Sequence, residues 1–195
     1  MKNLLQIVFI AVVFISCKNE NKKQVEKEHQ HQEMKKDETK TKKKVLSPHK
    51  SAMSMIGDAH VHIDYSSPGA RGRIIFGGLL AYDQVWQAGA HNATWLETNK
   101  DLTIDGKTLK AGKYGIFTIP SKEEWVLIFN SNWNQHGKDD YDEKDDIFRF
   151  NIKPVISEEI TEHLEYKVKK LSDTEGSISL AWEKVTVSFP FKIKQ

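Results

Sequence analysis

"HVHIDYSSPGARGR", residues 60–73, decides how this chain is read. Apolar and polar residues alternate through its first half, which is the period of a half-buried β-strand. Ala59, Val61, Ile63 and Tyr65 share one face, fit for a core, and His60, His62 and Asp64 share the other. The run stops at Ser66, Ser67, Pro68 and Gly69, a cluster of turn residues.

Working outward, strand-length runs rich in β-branched and aromatic residues recur at 58–66, 72–80, 93–98, 101–105, 107–110, 113–119, 124–130, 146–153, 160–171, 176–183 and 184–193. Asp105-Gly106 in "LTIDGKTL" predicts a two-residue hairpin turn, because type I′ geometry needs positive φ at both central positions. Pro120 closes one strand, and Pro190 marks an edge or bulge in the last. Residues 157–171 begin with Ser157, Glu158 and Glu159 in the manner of a capped helix. "LEYKVKKL" within them alternates, however, and a strand is expected there. The pattern predicts one all-β domain over residues 56–195, an antiparallel β-sandwich of jelly-roll or immunoglobulin-like topology.

The N-terminal part has another character. Lys2 precedes a short apolar run, Leu4 to Ile15, too short for a span of roughly 20 residues and suited to a signal peptide. Cys17, the chain's single cysteine, follows "FIS", as the lipidated cysteine of a bacterial lipoprotein follows its lipobox. Residues 1–17 are therefore expected to be a lipoprotein signal peptide, with Cys17 carrying the lipid. The expected address is the cell envelope, lipid-anchored, with Lys18 after the cysteine favouring the outer membrane. With Cys17 acylated no disulfide is available, and the core must hold by packing. Residues 18–55 read as a charged, disordered tether. Residues 18–50 carry 11 Lys against 6 acids, +5, whereas residues 51–195 carry 17 basic against 21 acidic groups, −4. Basic charge on the tether suits anionic lipid, and an acidic extracytoplasmic domain argues against nucleic acid as a partner.

"IDYSSPGARGRIIFGGLLAYDQVWQAGAHNAT", with "AGKYGIFTIP", "EEWVLIFN" and "DIFRFNIKP", resembles the DUF2911 family of bacterial extracytoplasmic proteins. The resemblance covers about residues 58–193 and implies an envelope address and a β-rich fold, but no mechanism. Where the family pattern often reads Gly-Ala-Asn-Glu-Ala-Thr and Gln-Trp-Gly, this chain has "GAHNAT" (89–94) and "QHG" (135–137). Each departure introduces a histidine, His91 and His136.

Candidate chemistry begins with His60 and His62, an i, i+2 pair that presents two imidazoles from one strand face. His91 and His136 are the expected further ligands, with Asp64 as a carboxylate alternative. Such a set would hold zinc, copper or nickel. The plain alternative is four solvated or locally hydrogen-bonded histidines. His29, His31, Met34, His49, Met53 and Met55 are imidazole or thioether groups of the tether, read as supporting detail. Arg71 and Arg73 could clamp an anion, but are read first as loop ties to Asp64, Asp83 or Asp146. Tyr65-Ser66-Ser67 lacks the surroundings of a serine nucleophile. "KDDYDEKDD" (138–146) reads as a solvated acidic loop rather than a calcium site, since the EF-hand order fails. Trp125 and Trp182 fall inside strands as core anchors, and Trp133, in a loop, is the candidate for ligand contact. Two functions stand: a metal-binding envelope lipoprotein, with zinc or copper as the cofactor, and a non-catalytic module that binds a glycan or protein through Arg71, Arg73 and Trp133. No reaction is assigned.

Overall fold

A computed structural model describes residues 45–194. The Cys17 lipobox and residues 18–44 of the tether lie outside them. The described residues form β1 (His49–Ile56), β2 (Ala59–Ser66), β3 (Thr94–Thr98), β4 (Leu102–Ile104), β5 (Lys107–Leu109), β6 (Gly112–Ile119), β7 (Trp125–Asn130), β8 (Asp146–Ile152), β9 (Val155–Lys170) and β10 (Glu175–Ile193). One 3-10 turn, Glu143–Asp145, precedes β8, and there is no α-helix among the described residues. The strands make two antiparallel sheets, β1-β2-β3-β6-β7-β8 and β5-β4-β10-β9.

Alternation sets the layers. Ala59, Val61, Ile63 and Tyr65 of β2 are buried, as the opening stretch predicts. Val61, Ile63 and Tyr65 join Leu96, Ile116, Phe129 and Phe150 of the same sheet. Against them stand Ile104, Leu164, Leu180, Val187 and Phe191 from the inner face of the other sheet. At the centre, Trp86 stacks on Trp182 with ring centroids 5.8 Å apart, and Phe76 packs against Trp125 at 4.7 Å. Full burial of such aromatic side chains contributes roughly 1.5–3 kcal/mol each, the main source of stability in a domain without a disulfide.

The outer face of the six-stranded sheet divides in two. Over β6 and β7 it is covered, with Phe117 and Ile128 buried together with Ala93 and flanked by Val85 and Tyr141. Over β1, β2 and β3 it stays open, and there the polar face of β2 stands.

Three expectations change. Residues 72–80 are not a strand. Gly72 and Gly77 take φ of 69° and 82°, and turns bury Ile75 and Phe76 as a plug in the core. Residues 176–193 are one strand rather than two, because β10 runs on through Glu183 (φ 54°), where its register against β9 slips. Pro190 falls between the ladder to β9, which ends at Thr186, and the ladder to β4, which begins at Lys192. The folded domain also begins earlier than residue 56. β1 pairs along its whole length with β2, from His49↔Ser66 to Ile56↔Ala59. As an edge strand with one open face, β1 needs apolar side chains only at its few inner positions, so its sequence resembles a tether. The Asp105-Gly106 turn has the expected positive φ, 48° and 73°.

Candidate functional site

The β1–β2 hairpin builds the open face. Its two-residue loop is Gly57-Asp58, with Gly57 at φ 57°. A Cβ on Gly57 would meet the Asp173 carbonyl oxygen at 2.6 Å, so this position has no room for a side chain. The loop fixes the register, and the register places Met55 opposite His60, Met53 opposite His62, Ser51 opposite Asp64 and His49 opposite Ser66. Directly paired residues share a face, so all of these side chains project outward. Met53 and Met55 are 57% and 52% exposed and take little part in core packing.

His60 and His62 stand side by side with ring centroids 5.9 Å apart. The His60 backbone N–H donates to the Asn99 side chain at 2.7 Å, which fixes the start of β2. The His62 ring meets Trp95 edge-on at 5.1 Å, and its Nε2 is buried without a hydrogen-bond partner among the described residues. A buried imidazole nitrogen without a partner is costly unless something binds it. Beyond it, Lys113 holds its ammonium 3.3 Å from the Trp95 ring centroid and 3.8 Å from that of Trp133. The two indoles clasp the lysine by cation–π attraction.

The four histidines named from the sequence are distributed over this surface. His60 and His62 come together. His91, at φ 61°, lines a cavity with His49, Asp64 and Trp95. Asp64 pairs there with His49 at 2.9 Å. His136 pairs with Asp139 at 3.2 Å, and its backbone bridges to Asn92, next to His91. Among the described residues, no group of three or more His, Cys, Asp or Glu side chains is arranged to hold a metal ion.

The Arg73 side chain ties a loop, though not through the carboxylates named from the sequence. Arg73 donates from Nε to the Ala70 carbonyl at 2.9 Å and from Nη2 to the Gly69 carbonyl at 2.8 Å. Arg71 has an exposed side chain, and its backbone N–H donates to Glu162. Trp133 is half-buried and engaged by Lys113. In the acidic segment, Asp146 receives Arg149, Tyr141 and Asn130, and Asp142 caps the 3-10 turn. Met53 and Met55, read from the sequence as groups of the tether, stand on the same face as His60 and His62. The signal was present as Met-x-Met, a two-residue turn and His-x-His, a spacing that pairs the two motifs only if β1 is a strand.

Two antiparallel sheets around one core, with a histidine-, methionine- and tryptophan-bearing outer face, define an all-β domain with an exposed candidate binding surface. The chain matches the family described as "Protein of unknown function (DUF2911)" over residues 47–191, and it belongs to that family. No curated protein and no solved structure matches the chain.

Proposed function

We propose that the domain is the ligand-carrying part of a lipid-anchored protein of the bacterial cell envelope, and that it binds a transition metal through His60 and His62. The observation that carries this reading is the pair of adjacent imidazoles on an open face, one of which has a buried Nε2 without a partner among the described residues. Two imidazoles leave other coordination positions for water or further ligands, as in an open site. His91 and His136 belong to other local contacts and are not needed for the first two bonds.

Calorimetric titration of the protein with zinc(II) and copper(II) tests the reading. Binding is expected to be tighter than about 1 mM, or about −4 kcal/mol, and to weaken at least about tenfold in His60→Ala/His62→Ala. His91→Ala/His136→Ala should leave it unchanged. Because imidazole ligates only when neutral, binding should weaken on acidification. Equal uptake by the wild type and His60→Ala/His62→Ala would overturn the proposal.

A further inference from the structure

We infer that the site is a copper(I) site completed by Met53 and Met55. The inference rests on the metal reading above and names the ion. The hairpin register puts two thioethers directly across from two imidazoles, Met53↔His62 and Met55↔His60. Paired Cβ atoms across an antiparallel ladder lie about 4.5–5.5 Å apart, and i, i+2 residues about 6–7 Å apart along a strand. The four side chains therefore rise from the corners of a small rectangle on one face.

Methionine is long, unbranched and flexible, so each sulfur can swing over that rectangle without moving the backbone. The exposure of Met53 and Met55, 57% and 52%, leaves them free to do so. The donor set also selects the ion. Thioethers are soft and select copper(I), whereas zinc(II) and magnesium gain more from nitrogen, oxygen or anionic donors. Two thioethers and two neutral imidazoles supply no negative charge, which suits a monovalent ion. This set contains only two side chains of the His, Cys, Asp and Glu class, which is consistent with the absence of a three-membered group of that class among the described residues.

The test uses the full chain in detergent, with Cys17→Ser, His29→Ala, His31→Ala and Met34→Leu removing competing ligands of the N-terminal part. Copper(I) is supplied against a chromogenic copper(I) chelator under reducing conditions, and zinc(II) is titrated in parallel. One copper(I) per chain is expected, with sulfur neighbours in X-ray absorption. Met53→Leu/Met55→Leu, close in volume and on an exposed face, should weaken copper(I) by about 100-fold or more and zinc(II) by less than about threefold. Unchanged thermal unfolding of that variant shows that its fold is intact. Copper(I) affinity unchanged by Met53→Leu/Met55→Leu but lost in His60→Ala/His62→Ala overturns the copper(I) inference and leaves the metal reading standing. Loss of neither ion in either variant overturns both.

Discussion

Tyr141 donates its hydroxyl to the Asp146 carboxylate at 3.0 Å and accepts from Arg149 at 2.8 Å. Burial, followed by the Asp146 charge and hydrogen bond, pushes its phenol up to about 12 from 10.0. Tyr166, fully inside the core and donating to the Ala88 carbonyl at 2.9 Å, is raised in the same direction by burial. Between the unfolded and folded values, the folded chain holds protons that the unfolded chain has released. Stability must then fall as pH rises from about 10 through about 12, and below about 10 this contribution is fully present. Tyr141→Phe should make the alkaline slope of the urea midpoint shallower. An identical slope in the two proteins would refute the assignment. No part of this was legible in the sequence, where Tyr141 was one aromatic in an acidic run; the Arg149 contact comes only with β8 in place.

At the scale of elements, the β1–β2 hairpin is the decisive unit because it sets which side chains face His60 and His62. Gly57 and Gly106 both occupy turns at positive φ, 57° and 73°. A side chain at Gly106 would enter open space, whereas one at Gly57 would strike the Asp173 backbone. Gly106→Ala is expected to cost about 1 kcal/mol for the left-handed backbone alone. Gly57→Ala should cost about 1–3 kcal/mol more, through backbone displacement. On the metal reading proposed above, it should also weaken metal binding by disturbing the register. Denaturant midpoints of the two variants check the order, and equal losses would show that Asp173 yields readily. β2 was readable from alternation because one of its faces is fully buried. β1 was not, since an edge strand is held by its ladder and exposes most of its side chains.

For the whole molecule, the anchor proposal concerns Cys17, outside the described residues, and the charge contrast between residues 18–50 and 51–195. No helix among the described residues is long and apolar enough to cross a membrane. If Cys17 carries the lipid, mass spectrometry of the N-terminal peptide should show acyl chains on it, and Cys17→Ala should accumulate as unprocessed precursor. An unmodified Cys17 on the mature protein would refute the anchor. Within the domain, the 70–92 segment was the least readable part. "RIIFGGLL" has strand composition, yet its glycines turn it into a plug whose Phe76 reaches Trp86, Trp125 and Trp182.

By itself the sequence determined the all-β class, the Asp105-Gly106 hairpin, the inward and outward faces of β2, and membership of its family. The first three follow from local periodicity and turn chemistry, which need no knowledge of distant contacts, and the last from the likeness of residues 47–191 to the family pattern. Only the tertiary structure decided that β1 belongs to the sheet, that β10 is continuous, and that His91 and His136 sit in other contacts from His60 and His62. It also decided that Met53 and Met55 face the two strand histidines. The reason is that strand pairing joins residues through register and chain crossing, and neither is written in the period of a single strand.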